Sequence, residues 1–336
     1  MATRIGASTI ALTSAPRILA SAAVVGKKEG EGPLGKAFDA VFEDVTMGEP
    51  SWEKAESALQ KEAFRLALRK GNCTPEDVQC LFAGDLLDQC TASAFGMRES
   101  GVPLLGQYGA CSTMAQTLSM AALAVDSGAV ELAAAVTSSH FCSAERQFRF
   151  PLTYGGQRTP TAQWTATASG CVLVKPMDKG VAVRALTVGR IVDMGITDAN
   201  NMGAAMAPAA ADTIRRYLED TGTVPSDYDA VFTGDLAYCG SALLKELLAR
   251  DGITLGDTHF DCGLMLFDRQ RQDVHAGGSG CGCAASVLCG HILPKMARGE
   301  LKNILFIATG ALMSVTTSKQ GESIPGIAHL LHLTVG

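Results

Sequence analysis

Apolar positions recur every three or four residues through 52–70, which predicts an amphipathic helix. Ser51 precedes this segment as an N-cap residue, and Gly71 follows it as a stop signal. Two short apolar runs, at 78–83 and 132–136, instead predict strands that are buried on both faces. Such strands, alternating with helices, indicate an α/β sheet that is covered by helices on both sides.

The same succession of patterns occurs twice along the chain. The Ala-Gly-Asp-Leu-Leu turn around Gly84 is echoed by Thr-Gly-Asp-Leu-Ala around Gly234, an offset of 234 − 84 = 150 residues. In each half, a small-residue turn then opens an apolar helix that leads to a second strand. The first-half helix is predicted at 114–125. The second-half elements are predicted at 208–218 and 284–295 (helices) and at 230–233 and 304–308 (strands).

This repeat predicts the domain organisation. We expect an N-terminal half at 1–180 and a C-terminal half at 181–336, since 336 residues exceed what a single core usually serves. Two sheets with helices on both faces give a five-layered α-β-α-β-α body. The alternative is a coincidental similarity between two generic α/β segments.

Charge excludes one large class of function. Lys and Arg number 28 against 34 Asp and Glu, and no basic run is longer than two residues. Duplex nucleic acid requires a concentrated basic face, so we expect no nucleic-acid partner. An anionic small molecule remains a compatible ligand for a chain of this charge, because one or two cationic side chains and backbone amides can bind it.

Cysteine usage and hydropathy bear on location. Eleven cysteines without a compact framework favour a reducing, intracellular compartment with free thiols. The apolar stretch 7–26 resembles a signal peptide, but Pro16 and Arg17 interrupt it, so we predict none. No run of about 18 apolar residues predicts a membrane-spanning helix. Peripheral attachment to a membrane complex remains open.

Cys111 is the strongest candidate for chemistry. It lies in the Gly-Ala-Cys-Ser-Thr turn at 109–113, at the predicted start of a helix and among small residues that leave room for a ligand. Helix N-terminal amides and the helix dipole favour a thiolate, so we expect a lowered thiol pKa. The alternative is that Cys111 is a small buried hydrophobic residue.

The second half offers a matching Gly-rich turn at 277–283, which contains Ser279 and Cys281. Amides of such a turn can hold an anion before a helix. Close packing of helix against sheet is the structural alternative. Cys281 and Cys283 lack a second pair or a histidine cluster at familiar spacing, so we expect no metal site.

Four further residues of the first half are considered for ligand binding. His140 follows a predicted strand, where ligands gather in α/β sheets, and it could hydrogen-bond a ligand or polarise Cys111. The alternative is an ordinary surface or hydrogen-bonded loop histidine. Arg146 and Arg149 are suited to carboxylate pairing, although a solvated turn also explains them. Asp85 occupies the Gly-Asp turn, where turn closure is an ordinary role.

These features together resemble the thiolase-like superfamily, through the Gly-Ala-Cys-Ser-Thr turn, the duplicated halves and the second Gly-rich turn. More narrowly, the chain is similar to the stage V sporulation protein AD family of endospore-forming bacteria. The similarity extends in order along almost the whole chain. It is carried by Glu-Gly-Pro-Leu-Gly at 31–35, Ala-Gly-Asp-Leu-Leu at 83–87, the stretch 141–157, the stretch 202–213 and Gly-Gly-Ser-Gly-Cys at 277–281.

The resemblance implies a five-layered thiolase fold and a homodimer. It also implies binding of dipicolinic acid (pyridine-2,6-dicarboxylic acid), alone or as its calcium chelate, for uptake into the developing spore. The family's role further implies a peripheral position at the spore inner membrane, beside other stage V sporulation A proteins. No cofactor is implied beyond calcium that is carried with the ligand.

The resemblance also implies what is missing. Superfamily enzymes use the cysteine at the position of Cys111 as an acyl-accepting nucleophile, with histidine and asparagine or a second cysteine as partners. Where condensing enzymes have Pro-His-Gln-Ala-Asn, this chain has Thr-Gly-Asp-Leu at 233–236, and their Gly-Asn-Thr turn is Gly-Ser-Gly at 278–280. The Gly-His-Pro motif of thiolases is also absent. An aspartate repels a forming oxyanion, which disfavours ordinary condensation.

Three functions therefore remain open. The leading one is a non-catalytic protein whose ligand site comprises Cys111, His140, Arg146, Asp85, Ser279 and Cys281. The second is an acyltransferase or condensing enzyme that acylates Cys111, with His140 as the substitute base. The third is a scaffold for a spore membrane channel complex, with an unused pocket.

Overall fold

The computed structural model describes residues 2–148, 152 and 157–336. Its first half contains strands β1 Thr3–Ile5, β2 Thr9–Ala11, β3 Arg17–Gly26, β4 Ala40–Phe42, β5 Cys80–Gly84, β6 Leu104–Gly106, β7 Ala133–Ser139, β8 Trp164–Thr165 and β9 Ala168–Lys175. The helices of this half are α1 Lys27–Gly30, α2 Trp52–Gly71, α3 Thr91–Met97, α4 Thr113–Asp126 and α5 Phe141–Glu145.

The second half contains the remaining strands and helices. The strands are β10 Val181–Thr187, β11 Ala230–Thr233, β12 His259–Asp261, β13 Gly278–Ser279, β14 Asn303–Ala311 and β15 Gly326–Val335. The helices are α6 Met202–Thr221, α7 Ala237–Arg250, α8 Cys262–Leu266, α9 Cys281–Val287, α10 Leu293–Ala297 and α11 Val315–Gln320.

The sheet shows the duplication directly. The first half has the strand order β3-β9-β7-β5-β6, and the second has β10-β15-β14-β11-β12. In both, the first two pairs are antiparallel and the last two are parallel. Each strand of one half therefore has a counterpart with the same direction in the other. The link from β9 to β10 spans 176–180, and Arg17 pairs with Ala182 where the two halves meet.

Three cores separate five layers, which confirms the predicted fold class. One core lies between the first half's strands and α2, and another lies between the second half's strands with α6 and α7. The third core holds α4, α9 and α10 between the two halves. The layer order is helices, strands, helices, strands, helices. The starts of α4 and α9 consequently meet in the middle of the molecule.

The predicted boundaries are correct where local signals dominate. The α2 helix begins after Ser51, whose side chain accepts a hydrogen bond from the Lys54 amide, and it ends at Gly71. The prediction of a helix start at 208 is wrong, because α6 begins at Met202 and Pro208 lies inside it. The buried apolar face of α6 outweighs the backbone hydrogen bond that the proline removes.

The N-terminal apolar stretch has a structural explanation. Residues 17–26 form β3, a buried strand between β9 and β10. None of the helices that the structure describes is both long and apolar enough to cross a bilayer.

Candidate functional site

A cavity of about 310 Å³ opens beside the first turn of α4. Its wall combines apolar side chains with a small number of polar ones, a composition common to small-molecule sites. The lining residues are Leu86, Tyr108, Ala110, Cys111, Ala144, Glu145, Gln147, Phe148, Arg158, Ala162, Gln163, Thr165, Ala199, Asn200, Met202, Ser279, Ala311 and Met313. The two halves of the chain both contribute to it.

Cys111 lies in a tight turn immediately before α4. Ala110 has φ 49°, and the Ser112 hydroxyl donates to the Gly109 carbonyl at 2.6 Å. Gly310 of β14 packs against this turn so closely that a Cβ there would lie 2.5 Å from the Gly109 oxygen. This contact fixes the turn against the second half and places the Cys111 sulfur 3.8 Å from the Ser279 hydroxyl.

The prediction of a lowered thiol pKa is wrong. Burial raises the pKa of Cys111 well above its usual range, and the nearby Asp235 carboxylate raises it further. The thiol donates a hydrogen bond to that carboxylate, which favours the protonated sulfur. The helix start alone favours a thiolate, whereas desolvation and a negative charge from the other half have the larger effect on the thiol.

Asp235 is the centre of the polar contacts beside Cys111. Its carboxylate accepts from the Ser279 hydroxyl at 3.0 Å, the Gly280 amide at 2.8 Å and the Thr309 hydroxyl at 2.7 Å. Desolvation in this fully buried place raises the pKa of Asp235, and these donors oppose the rise. The repeat in the sequence does not reveal this role, because it presents Asp235 only as the counterpart of Asp85 in the second Gly-Asp turn.

The equivalent aspartates of the two halves, Asp85 and Asp235, have different roles. Asp85 accepts from the Leu87 amide at 2.8 Å and from the Ser93 hydroxyl at 2.6 Å, which is the turn-closing role considered as the alternative. It does not line the cavity. Instead, its charge adds to burial in raising the pKa of Glu56.

The Gly-rich turn contributes a hydroxyl to the cavity rather than free amides. Ser279 lines the wall, but the Gly280 amide donates to Asp235 and the Gly282 amide donates to the Ser139 hydroxyl at 3.1 Å. These two amides are thus engaged inside the protein and are not free to hold an anion. The Cys281 thiol donates to the Ser138 carbonyl at 2.9 Å and lies outside the cavity wall.

His140 does not reach Cys111. It is fully buried at the N-terminus of α5, where its Nε2 donates to the Val45 carbonyl at 2.7 Å. Its Nδ1 accepts from the Cys142 amide at 3.1 Å, so both ring nitrogens have partners. Burial lowers the pKa of His140, which favours the neutral ring. His140 is absent from the cavity wall and cannot act as a base on Cys111 in this arrangement.

The predicted arginines are also not in the wall. Arg146 pairs with Glu53 at 2.7 Å and lies 5.6 Å from the Trp52 ring, on the surface beside α2. Arg149 lies outside the described residues. The structure therefore brings Cys111 and Ser279 together at the cavity and leaves His140, Arg146, Asp85 and Cys281 away from it.

Arg158 is the cavity residue that sequence reasoning missed. Its side chain is 13% exposed, lies 4.8 Å from the Trp164 ring and pairs with Asp273 at 3.3 Å. Its Nη1 is buried and has no hydrogen-bond partner among the described residues. The available signal was its position just before β8, the strand that pairs with the Gly-rich turn.

Among the residues that the structure describes, no group of three or more His, Cys, Asp or Glu side chains could hold a metal ion. All eleven cysteines are free thiols. The polar groups at the cavity suit hydrogen bonding and a single ion pair.

The five layers and the duplicated strand order give this chain a thiolase-like fold. Solved structures with the same fold include 3-oxoacyl-acyl-carrier-protein synthase III of Aquifex aeolicus, with a TM-score of 0.59, 14% identity and 95% and 99% of the two chains covered. Cerulenin-bound OleA of Xanthomonas campestris gives a TM-score of 0.60, 13% identity and coverage of 98% and 97%. At such identities the likeness shows the fold alone.

Sequence comparison gives the narrower class. Residues 6–334 of the chain match the sequence pattern of the family described as stage V sporulation protein AD (SpoVAD). It is 44% identical over 304 residues to stage V sporulation protein AD of Bacillus subtilis strain 168, covering 90% of each chain. The chain therefore belongs to the stage V sporulation protein AD family, as its motifs predicted.

Proposed function

We propose that the cavity beside Cys111 binds dipicolinic acid, alone or as its calcium chelate, for uptake into the developing spore, without chemical turnover. The observation that carries the proposal is the cavity's composition. One mostly buried guanidinium, that of Arg158, lies in a largely apolar wall. Membership of a sporulation family supports the choice of this ligand class.

The cavity's chemistry fits a flat dicarboxylate. Arg158 can pair with one carboxylate through two parallel N–H groups, a geometry that a point charge cannot supply. Apolar side chains such as Leu86, Phe148 and Met202 offer contact for an aromatic ring. Glu145 lines the same wall, and carboxylate oxygens are ligands that calcium prefers, so the chelate deserves a separate measurement.

The surroundings of Cys111 argue against turnover. An acyl-accepting cysteine requires a thiolate, yet burial and Asp235 raise the pKa of this thiol. The base candidate His140 faces Val45 instead. The acyltransferase alternative would be supported by a stoichiometric mass increase after incubation with an acyl thioester, provided that Cys111→Ser abolishes it.

Titration calorimetry with dipicolinate, with and without equimolar calcium, tests the proposal. We expect saturable heat with one site per chain, because the cavity is preformed and has one guanidinium. Isophthalate, which has the same carboxylate spacing without the ring nitrogen, is the comparison ligand. No saturable heat at millimolar dipicolinate in either condition would refute the proposal.

The proposal extends to the setting of the protein. We propose a peripheral position at the spore inner membrane, in contact with other stage V sporulation A proteins that would receive the ligand. The support is family membership. Recovery of the chain in the soluble fraction of broken spores, with no other stage V sporulation A protein co-purifying, would contradict this part.

We also propose a homodimer that forms through β6. This strand is at the edge of the sheet, all three of its residues are exposed, and Leu105 is 54% exposed. An edge strand with apolar side chains is a ready surface for pairing with another chain. The edge strand of the second half, β12, is less exposed along its length.

Leu105→Lys should convert the dimer to a monomer, because the charge would be buried at the proposed interface. Phe260→Lys, at the opposite edge and 44% exposed in the single chain, is the matched control and should leave the dimer intact. Sedimentation velocity measures both. A monomeric wild-type protein, or dissociation by Phe260→Lys alone, would contradict an interface at β6.

A further inference from the structure

Arg158 has two different kinds of contact with one residue of the loop before β13. Its Nη2 donates to the backbone carbonyl of Asp273 at 3.1 Å and lies 3.3 Å from that residue's carboxylate. Lys28 also donates to the same carbonyl, at 3.0 Å, and its ammonium lies 3.4 Å from the centre of the Trp164 ring. The backbone contact and the ring hold the guanidinium independently of the carboxylate.

The carboxylate of Asp273 differs from these supports. Its side chain is 76% exposed, whereas the Arg158 side chain is 13% exposed. It also has a second partner in the His275 ring, whose Nε2 is 3.1 Å away. An exposed carboxylate with an alternative partner can leave Arg158 at small cost, since exposed ion pairs contribute little.

We propose that Asp273 competes with the ligand's carboxylate for Arg158 and thereby sets the affinity of the cavity. This rests on the proposed function, because it concerns the same guanidinium. In the empty cavity, the Asp273 carboxylate neutralises a cation that would otherwise be desolvated and unpaired. On binding, the ligand's carboxylate takes that place, and Asp273 turns to solvent and His275.

The direction of the exchange follows from burial. A ligand carboxylate inside the cavity interacts with Arg158 through a medium of low polarity, where a charge pair is stronger than at the surface. Asp273 pairs from the solvent side, where water screens it. The ligand therefore displaces the loop carboxylate, and the cost of displacement lowers its affinity by a small factor. Competition of this kind favours release of the ligand.

Asp273→Asn tests the competition. The variant keeps the backbone carbonyl that positions Arg158 and removes only the competing charge. Dipicolinate and benzoate, the latter as a simple carboxylate probe, should each bind roughly two- to fivefold more tightly, the range that loss of an exposed pair gives. Fluorescence of Trp164 measures binding in a Trp52→Phe background, because the chain has only two tryptophans.

Two controls separate competition from a general gain in positive potential. Glu300→Gln removes another exposed carboxylate that pairs with an arginine, Arg298, outside the cavity wall, and it should leave affinity unchanged. In an Arg158→Gln background, Asp273→Asn should have no effect on either ligand. A gain of equal size in that background would show that Asp273 acts at long range and would overturn the proposal.

The two ligands keep this inference distinct from the proposed function. If benzoate shows the expected gain and dipicolinate does not bind, the competition stands and the dipicolinate assignment falls. Suppose instead that the wild-type protein binds dipicolinate, and that Asp273→Asn binds both ligands with the same affinity as the wild type or more weakly. The competition is then contradicted. Failure of both ligands to bind either protein contradicts both statements.

Discussion

Arg158→Gln is expected to weaken dipicolinate binding by about 10- to 100-fold. Among the described residues that line the cavity, Arg158 is the one with a cationic side chain. A hydrogen bond to a charged group contributes about 1.5–3 kcal/mol to the free energy of binding. Glutamine keeps polarity and most of the stem but loses the charge and the paired N–H groups. Calorimetry measures the change in affinity. The ionic strength must be held constant, because salt screens the interaction between the guanidinium and the carboxylate.

Arg146→Gln is the matched control for this experiment. Arg146 also has a carboxylate partner, Glu53, and a tryptophan neighbour, Trp52, but it lies outside the cavity wall. We expect wild-type affinity from this variant. A large loss from Arg146→Gln together with unchanged binding by Arg158→Gln would move the site to the surface beside α2, which is where sequence reasoning placed a ligand arginine.

Asp235→Asn should make Cys111 markedly more reactive. Asparagine removes the negative charge that disfavours the thiolate, so the pKa of Cys111 falls. At a pH well below that pKa, each unit of fall gives about a tenfold larger thiolate fraction. We expect alkylation of Cys111 by iodoacetamide at pH 8 to accelerate roughly tenfold or more, as measured by peptide mass spectrometry.

Asp85→Asn controls for the loss of a buried aspartate as such. Asp85 occupies the equivalent turn of the first half but interacts with Ser93 and Glu56 rather than with Cys111. The alkylation rate of Cys111 should be unchanged in this variant. Fast alkylation of wild-type Cys111 below pH 7, with no response to Asp235→Asn, would mean that the helix start governs the thiol after all.

The sequence predicted most of the fold because its signals were local and repeated. The Gly-Asp turns at Gly84 and Gly234 mark corresponding strand ends, and the structure confirms corresponding sheets with the same strand order. The small-residue turn at Cys111 correctly placed the cysteine at the start of α4. Pro208 misled the prediction of α6, since proline usually marks a helix start and here lies within one.

The site was harder to predict because it forms between the halves. Asp235 reaches Cys111 only when the centre of the fold is assembled, so no pattern in either half reveals the raised pKa of the thiol. His140 satisfied the rule that ligands gather at strand ends, but its ring turns to Val45. Arg158 precedes a two-residue strand that has almost no hydrophobic pattern of its own.

A crystal structure of the protein with dipicolinate tests the central claim most directly. We predict ligand density in the cavity beside Cys111, with one carboxylate within hydrogen-bond distance of Arg158 and the sulfur unmodified. Ligand bound elsewhere, with the cavity closed by side chains around Cys111, would contradict the claim.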